Sequence, residues 1–532
     1  MTPRARALVL AALVAACAVL TAGAQDASFG RTTSVAAPRG IKFESALLED
    51  VDGDGARDLV VLAARAGKRA RRVVRIHLRR AGESAFAPEP ELEFDLLPDV
   101  VGVAVADVHA DPGAELVLLA PTGAFALRPR AADERERYVQ LVATELLWQL
   151  PHERKTLTWQ EGVRDLDGDG LADLVLPRPD GYTAALQRRA ADGARSFVVS
   201  TPELPDDGAD TPEGLGSAKA RGRKRRGEIA VSLKLGDRAP AGDLLDVAES
   251  VPAPVLADWD GDGRTDLLAQ TTADVLVWLL RGDGRYAGPP DVVLPLPLEV
   301  DRRRLLDVSY SAHAADLDGD RRADYLLLAG DQRSDDARVQ VALYRRGPAG
   351  REGATPLFGD AGRPAQLLVI AGLAGAPELA DVDGDGLPDL VVGSLRLDAL
   401  DALRAATGST LDAELYVYRN QKGAFSKQPD LTRVLHVPAK ALSKSRSELT
   451  ARFVGDATGD GVSELLVRDD PERVQLFMVR RAGASLAILD RPLFETRVAD
   501  DADLLVTPAA RGVPPELALV SDAEILHVRF GR

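Results

Sequence analysis

The nine residues Asp258-Trp-Asp-Gly-Asp-Gly-Arg-Thr-Asp266 constrain this chain more than any other stretch. Carboxylates fall at positions 1, 3, 5 and 9, glycines at 4 and 6, and the apolar run Leu267-Leu268-Ala269 follows at once. Two like charges about 4 Å apart repel by roughly 4 kcal/mol at an effective dielectric near 20. A loop tight enough to need glycine holds its acidic side chains close together. A hard divalent cation removes that repulsion, and calcium accepts the irregular set of about six to eight oxygens that a short loop offers. The pattern recurs in the same register at 50–58, 165–173, 316–324 and 381–389, with degraded copies at 107–115 and 456–464.

The first positions of these loops are residues 50, 107, 165, 258, 316, 381 and 456, and a metal-free echo runs from Pro508 to Glu516. The spacings are 57, 58, 93, 58, 65, 75 and 52 residues. A base period near 58 with insertions marks a repeat architecture. In the fourth unit, Pro254-Val-Leu-Ala257 reads as a strand entering the loop and 266–270 as a strand leaving it. A third strand over 275–279 and a fourth over 292–298 follow, the prolines of the last confining it to an outer edge. Short, evenly spaced strands with glycine turns predict an all-β chain. Four strands per repeat predict the blades of a β-propeller. A solenoid is the rival, but it uses shorter repeats and needs caps. The ends fit closure of a ring: the last unit stops after a third strand over 525–529, and Thr32-Thr-Ser-Val35 offers an outer strand to complete it.

Side-chain oxygens at positions 1, 3, 5 and 9, with a backbone carbonyl at 7, can wrap one Ca²⁺. An EF-hand needs a carboxylate at position 12 and flanking helices. Position 12 here is Val61, Leu176, Ala269, Leu327 and Val392, all in strand-like runs, which excludes it. The recurring loops, each running from its closing Asp or Glu straight into an apolar strand, resemble the FG-GAP/VCBS repeats of integrin α-chain heads and of many secreted bacterial proteins. The resemblance covers 41–530 and implies about seven blades, whereas the register counts eight units; the expectation is therefore seven or eight. It also implies structural calcium in five loops. The ligands would be Asp50, Asp52, Asp54 and Asp58; Asp165, Asp167, Asp169 and Asp173; Asp258, Asp260, Asp262 and Asp266; Asp316, Asp318, Asp320 and Asp324; and Asp381, Asp383, Asp385 and Asp389. A weaker sixth site would use Asp456, Asp460 and Glu464, with Thr458 at position 3. Arg321 replaces glycine at position 6 of the fifth loop, which predicts strain. His109 and Pro112 make the second loop a poor hard-cation site.

A net charge of −16 argues against a nucleic-acid binder, which would show a basic face. Arg4 and Arg6, an apolar run over 7–20 and Ala22-Gly-Ala24 read as an export signal over 1–24. Val14-Ala-Ala-Cys17 offers a lipid anchor as the alternative, and Cys17 is the single cysteine. Residues 25–532 are then one propeller, with a basic, Gly/Pro-rich insert at 201–227 that includes the charge run 219–226. Leu397, Leu400 and Leu403 give 395–407 helical spacing, and 437–450 carry no clear pattern. No HExxH, nucleophile elbow or phosphate loop is present. Arg281-Gly-Asp283 reads as a turn, and Trp148, Trp159, Trp259 and Trp278 as core in preference to sugar platforms. The expected function is an exported, non-catalytic binding or adhesion scaffold for a protein or polysaccharide. The alternatives are a calcium-dependent lectin and a secreted enzyme acting on polysaccharide.

Overall fold

The computed structural model describes residues 29–531 apart from 67–70, 81, 111, 129–136, 148–156, 160–161, 206–227, 234–244, 272–273, 296–307, 332–337, 346–363, 375–376, 396–409, 439–449, 484 and 508–513. Every regular element among them is a strand. The export signal over 1–24, Cys17, the basic run 219–226 and Trp148 lie outside the described residues. So does the helix expected over 395–407, save Leu395, which closes the strand Asp389–Leu395.

Eight antiparallel sheets of four principal strands form the ring, so the blade number is eight. Each closing carboxylate of an intact loop opens the second strand of its blade: Asp58–Arg65, Asp173–Arg178, Asp266–Gln270, Asp324–Asp331 and Asp389–Leu395. These strands are buried on both sides because a neighbouring blade covers each face. In blade 1, Leu59, Val61 and Ala63 pack toward blade 8, while Val60 and Leu62 pack toward blade 2. Strand alternation thus divides one apolar run between two interfaces. Eight such clusters join successive blades, and the one holding Val35, Phe43, Ala518 and Ile525 joins blade 8 to blade 1.

That last blade is shared between the chain ends. Asp503–Thr507, Glu516–Val520 and Glu524–Phe530 come from the C-terminus, and Gly30–Ala36 completes the sheet with Gly30 opposite Phe530 and Ala36 opposite Glu524. Gly30 is required by packing, since a Cβ there would lie 2.7 Å from the Phe494 ring of blade 7. Two features escaped the sequence reading. A hairpin, Glu228–Leu233 with Leu245–Ser250, stands between blades 3 and 4. A second, Val479–Ala482 with Ser485–Ile488, precedes the outer strand of blade 7.

Deleting 30–36 leaves Glu524–Phe530 as an open edge, a template for aggregation. We expect the melting temperature to fall by roughly 5 °C or more and the protein to elute as larger species in size-exclusion chromatography. An unchanged melt with a sharp monomer peak would contradict closure by this strand.

Candidate metal centres

Each acidic loop is folded by its first carboxylate. Asp258 Oδ1 accepts from the Gly261 N–H at 2.7 Å and Oδ2 from the Gly263 N–H at 2.8 Å. Asp50, Asp165, Asp316, Asp381 and Asp456 receive the corresponding pairs at 2.6–3.0 Å. The fifth carboxylate then accepts the N–H two residues on, as Asp262 does from Arg264 at 2.9 Å. Pointing those N–H groups inward puts positions 4 and 6 in the left-handed region, with Gly261 at φ 83° and Gly263 at φ 86°. The sequence argument asked for this conformation only at position 6. Arg321 adopts it too, at φ 69°, so the strain expected in the fifth loop is present.

Loop closure brings the expected ligands together. One oxygen each from Asp50, Asp52 and Asp58 lies within 4.8 Å of the others, as do those of Asp165, Asp167 and Asp173. The same holds for Asp258, Asp260 and Asp262, for Asp316, Asp318 and Asp320, and for Asp381, Asp383 and Asp385. Such a spread spans a Ca²⁺ coordination sphere of radius about 2.3–2.6 Å. Asp54, Asp169, Asp266, Asp324 and Asp389 complete the five loops.

The ninth-position carboxylate is buried in every intact loop. Asp58 accepts from Val51 N–H at 3.0 Å and Arg79 N–H at 2.8 Å, which ties the loop to the end of the third strand. Asp173 joins Leu166 to Gln187, Asp266 joins Trp259 to Leu280, and Asp389 joins Val382 to Asn420 in the same way. Burial pushes the Asp58 carboxyl up to about 6 and those of Asp173, Asp266 and Asp389 up to about 7, against the lowering effect of these hydrogen bonds.

The donor set fits a hard divalent cation: all oxygen, closely spaced, and in places short of hydrogen bonds. Both oxygens of Asp383, which is 3% exposed, and Oδ1 of Asp167 are buried and accept none. Arginines lie alongside: Arg188 Nη1 is 2.7 Å from Asp167, Arg419 Nε is 2.8 Å from Asp383, and Arg345 pairs with Asp318. The degraded loops satisfy themselves differently. Arg195 Nη2 bonds both oxygens of Asp107 at 2.9 Å, while Glu115 accepts the Val108 and His109 N–H groups. In the seventh loop Thr458 lies 3.2 Å from Glu464, supplying a hydroxyl donor at position 3 where the intact loops have a carboxylate.

The loops also interlock around the ring. The eighth-position N–H of one loop donates to a carbonyl of the preceding loop: Ala114 to Asp50, Thr265 to Leu166, Ala323 to Asp258 and Ser463 to Val382, at 2.7–3.1 Å. Gly384 sits so close to its neighbour that a Cβ would lie 1.7 Å from Gly461 O. Side chains add to this, Gln187 Nε2 reaching Asp107 O at 3.0 Å and Asn420 Nδ2 reaching Leu317 O at 2.8 Å. Sequence reasoning missed these links. The backbone ones carry no residue signature, and for Asn420 the one signal was its being the sole asparagine of the chain.

Eight four-stranded blades, five of them with an intact acidic loop at the entry to the second strand, define a repeat β-propeller. Residues 258–327 and 316–392 match the FG-GAP-like repeat. The crystal structure of Sqt1 from Chaetomium thermophilum is similar at a TM-score of 0.37 and 11% identity, over 91% of this chain and 100% of that one. The V. cholerae biofilm matrix protein Bap1 is similar at a TM-score of 0.27 and 11% identity, over 94% and 87%. No curated protein sequence matches the chain.

Replacing Arg321 by glycine removes a left-handed side-chain residue, and we expect a gain of about 1 kcal/mol in the metal-free protein, read from chemical denaturation. A loss would mean that the Arg321 side chain contributes more than its backbone costs. A pH dependence follows from the buried carboxyls. Their folded pKa values exceed the unfolded ones, so the metal-free fold holds extra protons and loses stability as pH rises through about 6–7. In EDTA the melting temperature should be lower at pH 8 than at pH 5.5. Millimolar Ca²⁺ should remove the difference, whereas an equal pH slope with and without Ca²⁺ would count against metal at these loops.

Proposed function

We propose that the chain is an exported, non-catalytic binding propeller whose acidic loops hold structural Ca²⁺ and whose outer rim engages a protein partner. The observation that carries this reading is the burial of the ninth-position carboxylates. In blades 1, 3, 4 and 6 each is tied to its own loop and its own third strand, and the loops interlock with their neighbours. A cation there stiffens the ring. At about tenfold excess over its dissociation constant, each such ion would add about 1.4 kcal/mol to stability. Support for the non-catalytic reading comes from the histidines: His77 and His527 are buried in packing, and His436 pairs at the surface with Asp412. Arg281, in the Arg-Gly-Asp turn, is held by Asp291 at 3.1 Å. Trp259 and Trp278 are buried, which removes them as sugar platforms. For export the support is the N-terminal sequence; among the described residues no helix is long and apolar enough to cross a membrane.

Between protein and polysaccharide, the rim favours protein. Val293, Leu367, Val369 and Val434 lie on the outer strands of blades 4 to 6 and are 46–54% exposed. A recess of about 290 Å³ at Leu367 and Val369 is also lined by Gln366, Leu368, Tyr418 and Lys427. Apolar surface of this kind suits a protein interface better than a hydrated glycan. The test immobilises the full chain in Ca²⁺ or EDTA and probes it with extracellular protein and with a glycan array. We expect Ca²⁺-dependent protein capture, weakened by at least about tenfold in a Leu367→Glu/Val369→Glu variant that melts like the parent. Glycan binding unaffected by that variant would support the lectin reading, and turnover of a polysaccharide would overturn the non-catalytic one.

A further inference from the structure

Blade 8 has no acidic loop, yet it keeps a ninth-position carboxylate. Glu516 opens the strand Glu516–Val520 as Asp58, Asp173, Asp266 and Asp389 open theirs. Positions 1, 3 and 5 of its segment are Pro508, Ala510 and Gly512, so the oxygen set of a metal loop is gone. Glu516 is nonetheless only 2% exposed. A lone buried carboxylate is strongly unfavourable unless a positive partner accompanies it.

The partner comes from across the seam. Arg79 of blade 1, 4% exposed, places Nη1 and Nη2 each 3.2 Å from one oxygen of Glu516, a bidentate fork between residues 437 apart in sequence. His527, 1% exposed, donates from Nε2 to Oε2 at 3.1 Å, and Arg529 Nε stands 3.8 Å from Oε1. Phe86 roofs the cluster, 5.2 Å from the guanidinium and edge-on to His527 at 4.8 Å. Burial alone would raise the Glu516 carboxyl, but the His527 hydrogen bond and the Arg79 charge outweigh it and hold it at about 2.

Arg79 also occupies a defined place in the repeat. Its N–H caps Asp58, as those of Gln187, Leu280 and Asn420 cap the carboxylates of blades 3, 4 and 6. Gln187 and Asn420 use their side chains to grip the preceding blade. For blade 1 the preceding blade is blade 8, so the same grip spans the junction of the two chain ends. His527 extends the contact to the closing strand, with Thr33 Oγ1 3.3 Å from Nδ1.

We propose that Arg79 is the resident cation of the seam, a guanidinium that neutralises in blade 8 the carboxylate position that other blades offer to a divalent ion. The junction of the two chain ends is then locked by a charge that chelators cannot remove and Ca²⁺ cannot replace. The full chain is tested by hydrogen exchange at 30–36 and 524–530, in EDTA and in Ca²⁺; the EDTA arm decides the proposal whether or not the loops bind metal. The parent should protect both strands in either buffer. Arg79→Met should speed their exchange by about tenfold or more, and Ca²⁺ should not restore it. Arg79→Met/Glu516→Leu should recover most of the protection, because removing both charges leaves none buried and unpaired. Arg79→Lys, which keeps the charge without the fork, should fall in between and serves if the Met variant does not fold. Parental exchange in the Met or Lys variant, rescue of Arg79→Met by Ca²⁺, or a double variant no better than the single would each overturn the proposal.

Discussion

A carboxylate buried at the junction of loop and second strand is the interaction on which the ring depends. In the intact loops of blades 1, 3, 4 and 6 it receives one N–H from the loop's second residue and one from the end of the third strand, so three segments of a blade meet at one side chain. The hydrogen bonds orient it but do not neutralise it. Its burial pushes its pKa toward 7 unless a positive charge is near. The fold therefore sets a buried carboxylate at the start of the second strand in one blade after another, through the same residues that shape the blades.

The second constraint is that no blade is stable by itself. The second strands are apolar on both faces, and alternate residues belong to different interfaces. A four-stranded sheet with two greasy faces needs two neighbours, which a closed ring alone supplies for every member. Closure has to join residues at opposite ends of the chain. It does so with a backbone ladder between Gly30–Ala36 and Glu524–Phe530, an apolar cluster centred on Val35, Ala518 and Ile525, and the buried charges around Glu516.

Much of this was legible in the sequence, for identifiable reasons. The loops announce themselves because carboxylate spacing and glycine placement are local requirements, and the strain at Arg321 followed from one substitution in a fixed register. The closing strand was legible because the last unit lacked a fourth strand and the N-terminus had one to spare. Blade number stayed between seven and eight because the register counts eight units, the last without the loop chemistry of the others, whereas the family resemblance implies about seven. The links between loops were invisible, being backbone hydrogen bonds that any residue except proline could make. The Arg79–Glu516 pair was hidden differently: its partners lie 437 residues apart, and arginine is abundant enough that one more carries no signal.

The eight blades can then be sorted by how each satisfies its carboxylate. Five loops keep the full oxygen set. Loop 2 lends Asp107 to Arg195 and leaves Glu115 to backbone N–H groups. Loop 7 keeps three acids and has a hydroxyl, Thr458, at position 3 where the intact loops carry the fourth. Blade 8 has only Glu516 and meets it with Arg79 and His527. Each loss of an acidic residue is matched by a protein donor near the carboxylate that remains, so the buried anion persists where the loop around it does not. That persistence is understandable if the carboxylate's first task is to join a blade's strands, since the N–H groups it receives come from the backbone whichever cation stands beside it. The acidic loops are on this view the most acidic form of a junction that recurs around the ring, and the seam is where a protein cation serves it.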